Sequence, residues 1–295
     1  MKPAPLDHVA PTSLREAIDL LSDPEREAVV LAGGQSLMPM LSLRLARPDV
    51  VVDLAHLEGL DHIRLDGRWL VMGAMATKRA VERSALVREH QPLWHAATLQ
   101  IGHPQIRNRG TVGGSMAQAD PAAEYPAAAL VMGAELTAVG PDGERTIPVE
   151  EFFLGYLTTA LGTGEILTEV RVPVLDPATG WAFLEITRRH GDFAIAGATV
   201  TLELDGAGRC RNPRVAVFGV GPTPSRAGPA EQAVDGQEPD AALFEAAGRA
   251  AAAAIDEPLS DVHASAEYRR HVLGVLIARA LLQASARAGQ GGAAA

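Results

Sequence analysis

A single cysteine, Cys210, stands in 295 residues, so neither an internal disulfide nor a Cys-x-x-Cys metal or redox site can form. A cluster that needs four thiolates has no home here, and a function that uses one must borrow it from another chain. Positive charge is in deficit. Lys and Arg number 26 against 36 Asp and Glu, a formal charge of −10, which repels a phosphate backbone and argues against nucleic acid. Long apolar runs are missing too. No stretch approaches the length of a membrane span, and the most helical C-terminal segment is interrupted by Arg269, Arg270, Arg279 and Arg287. The first ten residues carry Pro3, Pro5, Asp7 and His8 in place of a signal-peptide core, so a cytoplasmic protein without a membrane span is expected. Walker A, His-Glu-x-x-His and Gly-x-Ser-x-Gly sequences are absent, which leaves no metal site and no catalytic side chain to nominate.

What is present is ordinary globular composition, 47% hydrophobic and 21% charged, in a chain long enough for two or three domains. Two stretches stand out. Ala32, Gly33, Gly34, Gln35 and Ser36 form one; Thr111, Val112, Gly113, Gly114 and Ser115, running on to Asp120, form the other. Adjacent glycines followed by small polar residues let the backbone turn several N–H groups toward one point, where an anion fits. Two such turns suggest a diphosphate gripped from both sides, and each alone is equally an ordinary glycine turn. With the global charge negative, a bound pyrophosphate must be neutralised locally by N–H groups and helix N-termini.

Around these turns the pattern alternates. Residues 12–23 read as a helix, with Ser13 and Glu16 as a capping box. Residues 28–31 read as a buried strand emptying into the first turn, and Ser36 as the N-cap of a helix that Pro48 stops. A strand over 50–54 closes a subdomain of about 55 residues. Hairpins follow around Asp66-Gly67 and Pro141-Asp142-Gly143, with helices over 77–87 and 92–100 and a polar loop over 106–110 between them. An alanine-rich helix is expected over 122–133 with Pro121 at its start, and a last strand over 165–172. Strands over 181–187, 193–204 and 215–220, then helices over 240–255 and 264–287, make an α+β C-terminal region with a low-complexity tail, 289–295, expected to be disordered.

Three smaller motifs invite a choice. Gly219-Val220-Gly221 begins like a dinucleotide fingerprint but fails where Pro224 replaces the third glycine. Asp120 and Glu124, four apart, are either a cap and a solvated residue or acids placed for a ribose. Arg188-Arg189-His190-Gly191-Asp192-Phe193 is either a polar turn with a core aromatic or a ring set to cover a planar ligand.

Taken in order, Ala32-Gly33-Gly34-Gln35-Ser36-Leu37, Ile106-Arg107-Asn108-x-Gly110-Thr111-Val112-Gly113-Gly114-Ser115, Ala119-Asp120-Pro121, Gly164-Glu165-Ile166-Leu167 and Arg188-Arg189-x-Gly191-Asp192-Phe193-Ala194 resemble the FAD-binding medium subunit of the molybdenum hydroxylases. This is the group of the carbon monoxide dehydrogenase medium chain and the xanthine dehydrogenase flavin domain. The resemblance implies an α+β fold: a two-part FAD-binding domain of vanillyl-alcohol-oxidase (PCMH) type over 1–175, divided near 55, then a C-terminal domain over 176–288 with a three-stranded antiparallel sheet and a helix bundle. It implies FAD held by residues 32–36 and by Thr111, Gly113, Gly114 and Ser115 at the pyrophosphate, Asp120 and Glu124 at the adenosine end or its surroundings, Ile101 and Leu161 along the cofactor, and Phe193 near the isoalloxazine. Two departures from the family pattern stand out. Gln35 replaces a histidine common in carbon monoxide dehydrogenase-like chains, and Glu185 stands where some members have lysine. The implied role is electron relay. Substrate is oxidised at a molybdenum cofactor on a large subunit, electrons cross 2Fe-2S clusters on a small subunit, and FAD passes them to an external acceptor, in a dimer of heterotrimers (a heterohexamer). A stand-alone flavin oxidoreductase of the same fold is the alternative, and a nucleotide-binding subunit without redox function a third.

Overall fold

The computed structural model describes residues 2–291. It begins with β1 (Asp7–Val9), α1 (Leu14–Leu21), β2 (Ala28–Leu31), α2 (Leu37–Leu43) and β3 (Val50–Asp53). The strands form a small parallel sheet in the order β1-β3-β2. Three consecutive valines bury β3 on both faces, as a central parallel strand demands, and Ala17 and Ile18 of α1 pack onto Val50 and Val52. Ser13 caps α1 by accepting the Glu16 N–H at 3.2 Å, the arrangement its spacing predicts.

The second layer holds β4 (Ile63–Asp66), β5 (Trp69–Gly73), α3 (Lys78–Arg83), α4 (Ala85–His90), α5 (Pro92–Gln100), α6 (Pro104–Arg107), α7 (Val112–Gln118), α8 (Glu124–Met132), β6 (Glu135–Gly140), β7 (Gly143–Pro148), the small hairpin β8 (Phe153–Gly155) and β9 (Thr158–Thr159), and β10 (Ile166–Pro173). Five of its strands make an antiparallel sheet, β4-β5-β10-β6-β7. The helix expected over 77–87 is two helices. Ser84, with ψ 122°, leaves helical space, ends α3 and caps α4 through the Val87 N–H. The loop expected over 106–110 contains the end of one-turn α6.

The correction with most consequence concerns the second glycine motif. Gly113 and Gly114 do not form a turn ahead of a helix; they lie in the first turn of one, α7, capped by Thr111. The next helix, α8, begins only at Glu124, because Ala123 is extended and Asp120 captures the Ala122 N–H at 2.9 Å in a local turn. Asp120 and Glu124 therefore do not share a helix face.

The third layer comprises β11 (Gly180–Ile186), β12 (Ala196–Leu204), β13 (Cys210–Phe218), β14 (Ser225–Arg226), α9 (Gly228–Val234), α10 (Ala241–Ala253) and α11 (Ala266–Gly291). The antiparallel sheet runs β11-β12-β13-β14, so a two-residue strand extends the three that were expected. Phe193 precedes β12 by three residues and is outside it. Helix α11 continues through Gly291, so residues 289–291 are helical where a disordered tail was expected; 292–295 lie outside the described residues. By length and composition α11 could cross a membrane, contrary to the expectation drawn from its arginines. It is a core helix: Leu273, Ile277, Ala280, Leu281 and Ala284 are buried against the sheet, and Arg269 reaches inward to the Ile195 and Gly219 carbonyls.

Helix α8 ties the layers together. All nine of its residues are buried, the mark of a helix enclosed on every side. One continuous core joins Leu70, Met72, Leu136 and Val170 of the five-stranded sheet, the alanines of α8, and Phe183, Ala216 and Phe218 of the C-terminal sheet. Alanine suits this place, because small side chains let two sheets approach one helix closely.

Candidate functional site

The first glycine motif is a bend between β2 and α2. Gly34 has φ +71°, open to glycine at no cost, and Gly33 passes against the backbone of residues 109–110 so closely that a Cβ would stand 2.2 Å from the Arg109 carbonyl oxygen. Gln35 folds back, its Nε2 donating to the Gly33 carbonyl at 3.1 Å. Ser36 occupies the N-cap position, yet its hydroxyl caps nothing, against the expectation. Among the described residues the N–H groups of Gly33, Gly34, Gln35 and Ser36 donate to no protein acceptor. Four free donors and a free hydroxyl in one bend are an anion receptor in form.

The second motif spends its donors internally. Thr111 Oγ1 accepts from Gly114, the Ala76 and Ala74 carbonyls accept from Val112 and Gly113, and the Thr111 carbonyl accepts from Ser115. Its glycines serve contact instead. A Cβ on Gly113 would sit 2.4 Å from that of Ala74, and one on Gly114 would sit 2.7 Å from Thr111 Oγ1 and 3.4 Å from Ala32 Cβ. The two motifs thus abut, with Gly33 on the Arg109–Gly110 backbone and Gly114 beside Ala32. The backbone-donor role implied for Gly113, Gly114 and Ser115 narrows accordingly to a close wall and the Ser115 hydroxyl, while among the described residues the Thr111 N–H keeps no protein acceptor.

Behind this wall sits a residue the sequence reading passed over. Lys78, only 9% exposed, brings its Nζ to 3.3 Å from Ser115 Oγ and lies 5.5 Å above the Tyr125 ring. Burial lowers its pKa, while Glu124 pulls the other way. One signal was readable in advance. Lys78 opens a helix, where a cation opposes the macrodipole, so something other than helix stability keeps it there. Glu124, 4% exposed, is pushed up to about 7, chiefly by burial, with Lys78 opposing. Half-buried Asp120 is also raised by burial, against the Ala122 N–H it accepts. Glu185 on β11 is raised to about 8, by burial and then by Glu124.

The remaining sequence candidates lie at the rim or in the core. Ile101 is buried in the main core, and its carbonyl accepts from Arg107 at 3.0 Å. Arg107 also binds the Gly102 carbonyl and Glu82, which fixes the loop carrying residues 109–110 against the first motif. Leu161 is half-buried, packed against the same core. Phe193 is 58% exposed, far from an ordinary core aromatic. Its turn is anchored by Gly191, at φ +86°, which packs on Gly102 and His103, so the turn that carries Phe193 meets the Gly102 loop across the two layers.

These features fit an elongated dianionic cofactor with a planar end: free donors and a buried cation at the glycine motifs, acids beside them, and an uncovered aromatic ring at the meeting of two layers. Comparison with known proteins agrees. Residues 4–175 match the family described as the FAD binding domain in molybdopterin dehydrogenase, and residues 181–284 match the CO dehydrogenase flavoprotein C-terminal domain. The alpha subunit of the 6-hydroxypseudooxynicotine dehydrogenase complex of Paenarthrobacter nicotinovorans is 39% identical over 98% of this chain and 97% of its own. The nicotine 6-hydroxylase medium subunit of the same organism is 38% identical over 97% and 100%. Among solved structures, a carbon monoxide dehydrogenase chain of Hydrogenophaga pseudoflava superposes with a TM-score of 0.93 at 38% identity, covering 97% of this chain and 99% of the other.

Proposed function

The chain belongs to the family of FAD-binding subunits of the molybdopterin dehydrogenases, and from that premise we propose that it is the electron-relaying flavoprotein of a heteromeric molybdenum hydroxylase. FAD, when bound, supplies a two-electron store between one-electron donors and an external acceptor. The chain's own residues bind and orient. Gly33, Gly34, Gln35 and Ser36 present N–H groups, and Ser36 its hydroxyl, to the pyrophosphate. Ala32, Thr111, Gly113, Gly114 and Ser115 form the wall it lies against, and Lys78 sets a positive charge behind that wall. Asp120 serves the adenosine end and the enclosed Glu124 belongs to its surroundings; Ile101 and Leu161 back the site; Phe193 stands near the isoalloxazine. The observation that carries this reading is the bend with four unpaired N–H groups, abutting α7 over a buried lysine.

With one cysteine, buried and free, the chain leaves 2Fe-2S clusters to a small subunit and the molybdenum cofactor to a large one. We place these three chains in a dimer of heterotrimers, divide this chain near residue 175, and assign it to the cytoplasm, where a fold without disulfides belongs. The test is direct. The purified chain should be yellow and release FAD on heating, and when drawn from its native cell it should bring iron, molybdenum and two further chains. A colourless chain that cannot be reconstituted with FAD sinks the proposal.

A further inference from the structure

Lys78, at the start of α3, lies behind the glycine wall through Ser115, and three acids are linked to it electrostatically: Glu124 at the start of α8 feels Lys78 and Asp120, and Glu185 on β11 feels Glu124. Lys78 and Glu124 are enclosed, and Glu185 Oε2 is buried with no hydrogen-bond partner among the described residues. Lys78 has three protons and gives one hydrogen bond, to Ser115 Oγ. Among the described residues Lys78 is the one cation acting on Glu124, and none acts on Glu185. Arg107 is engaged by Glu82 and two carbonyls, the buried Tyr125 hydroxyl shares a hydrogen bond with Thr98 at 2.9 Å and is held neutral by burial, and the residue paired with Glu185 on β12 is Gly197. Full ionisation would leave one cation against three carboxylates, a net −2 in a largely dry place, which is costly. A cluster of this kind retains protons that free carboxylates would release.

The glycine wall that Lys78 supports through Ser115 is the surface assigned above to the cofactor's phosphates. We propose that FAD binding to this chain takes up a proton, received by the Glu185–Glu124–Lys78 cluster as the phosphate charges arrive on the other side of Ser115. The inference rests on the flavin reading. Two added negative charges strengthen proton binding at every neighbouring site, so uptake is largest where the cluster is half titrated, between about 7 for Glu124 and about 8 for Glu185. FAD affinity then falls as pH rises through that window, by at most about tenfold per pH unit for one proton.

Calorimetric titration of the flavin-free full chain with FAD, in two buffers of different ionisation enthalpy at about pH 7.5, reads the uptake without any turnover. Net uptake should approach one proton in the wild type. Glu185→Gln should cut it by at least half and raise affinity severalfold near pH 8, and Glu124→Gln should act in the same direction. Should either variant misfold, the wild-type comparison between buffers still decides. Buffer-independent heats and a pH-independent affinity, with FAD bound, overturn the inference and leave the flavin reading standing. Failure to bind FAD at any pH overturns both.

Discussion

The two glycine motifs are nearly the same in letters and opposite in use. Residues 32–36 keep four N–H groups unspent in a bend that turns through Gly34 at positive φ, whereas residues 111–115 consume every N–H from Val112 to Ser115 in capping and packing. Glycine permits both a left-handed backbone and the approach of another chain segment within side-chain distance. Which of the two it serves is decided by the neighbours, not by the motif. One bend leaves its donors open; the helix start beside it has closed them.

Substitutions can break this contrast. The largest effect should come from Gly113→Val, which drives a side chain into Ala74 and costs about 3 kcal/mol of stability by overpacking. Urea unfolding would show it as a lower midpoint, with flavin lost only because the fold is. The sharper comparison is between hydroxyls. Thr111→Ala removes a cap bond and should cost about 1 kcal/mol of stability. Ser36→Ala, whose hydroxyl caps nothing, should leave the midpoint unmoved while weakening FAD binding by about 0.5–1.5 kcal/mol. Equal midpoint shifts in the two variants would erase the distinction between receiver and wall.

The smallest effect is on pH. Glu124 and Glu185 have folded-state pKa values above their ordinary range, about 7 and about 8. Their contribution to stability is therefore complete below about pH 4.5 and is lost as pH rises through 7 to 8. Thermal midpoints of the full chain should drift down across that interval, and Glu185→Gln should flatten the drift. A midpoint that rises over the same range would show the wall's acids to be paired and charged.

Much of the architecture was legible in the sequence because local signals agreed with the fold. The Ser13–Glu16 box, the Asp66-Gly67 turn and the Pro141-Asp142-Gly143 turn each produced the element they announce. Where the reading failed, a tertiary contact outvoted a local preference. Asp120 took the Ala122 N–H and delayed α8 past Pro121. Ser84 divided one expected helix into two, and α7 formed through a glycine pair because the Ala74 and Ala76 carbonyls anchor its first turn. In the site, small and glycine residues announced themselves through composition, and Phe193 stood out by rarity. Lys78 gave only the faint signal of a cation at a helix start, since its contacts are with Ser115 and Tyr125, 37 residues and more away along the chain.

The alanine-rich helix enclosed between two sheets has a consequence for how the chain comes apart. Because one face of the C-terminal sheet shares the core that α8 forms with the five-stranded sheet, while the other face packs on α10 and α11, melting either domain should strip a covering from the other. Heat or urea should give one coincident transition by every probe. Cutting the chain near residue 175, between its two domains, should expose α8 on one side and Phe183, Ala216 and Phe218 on the other, so the flavin domain and its companion are expected to unfold together.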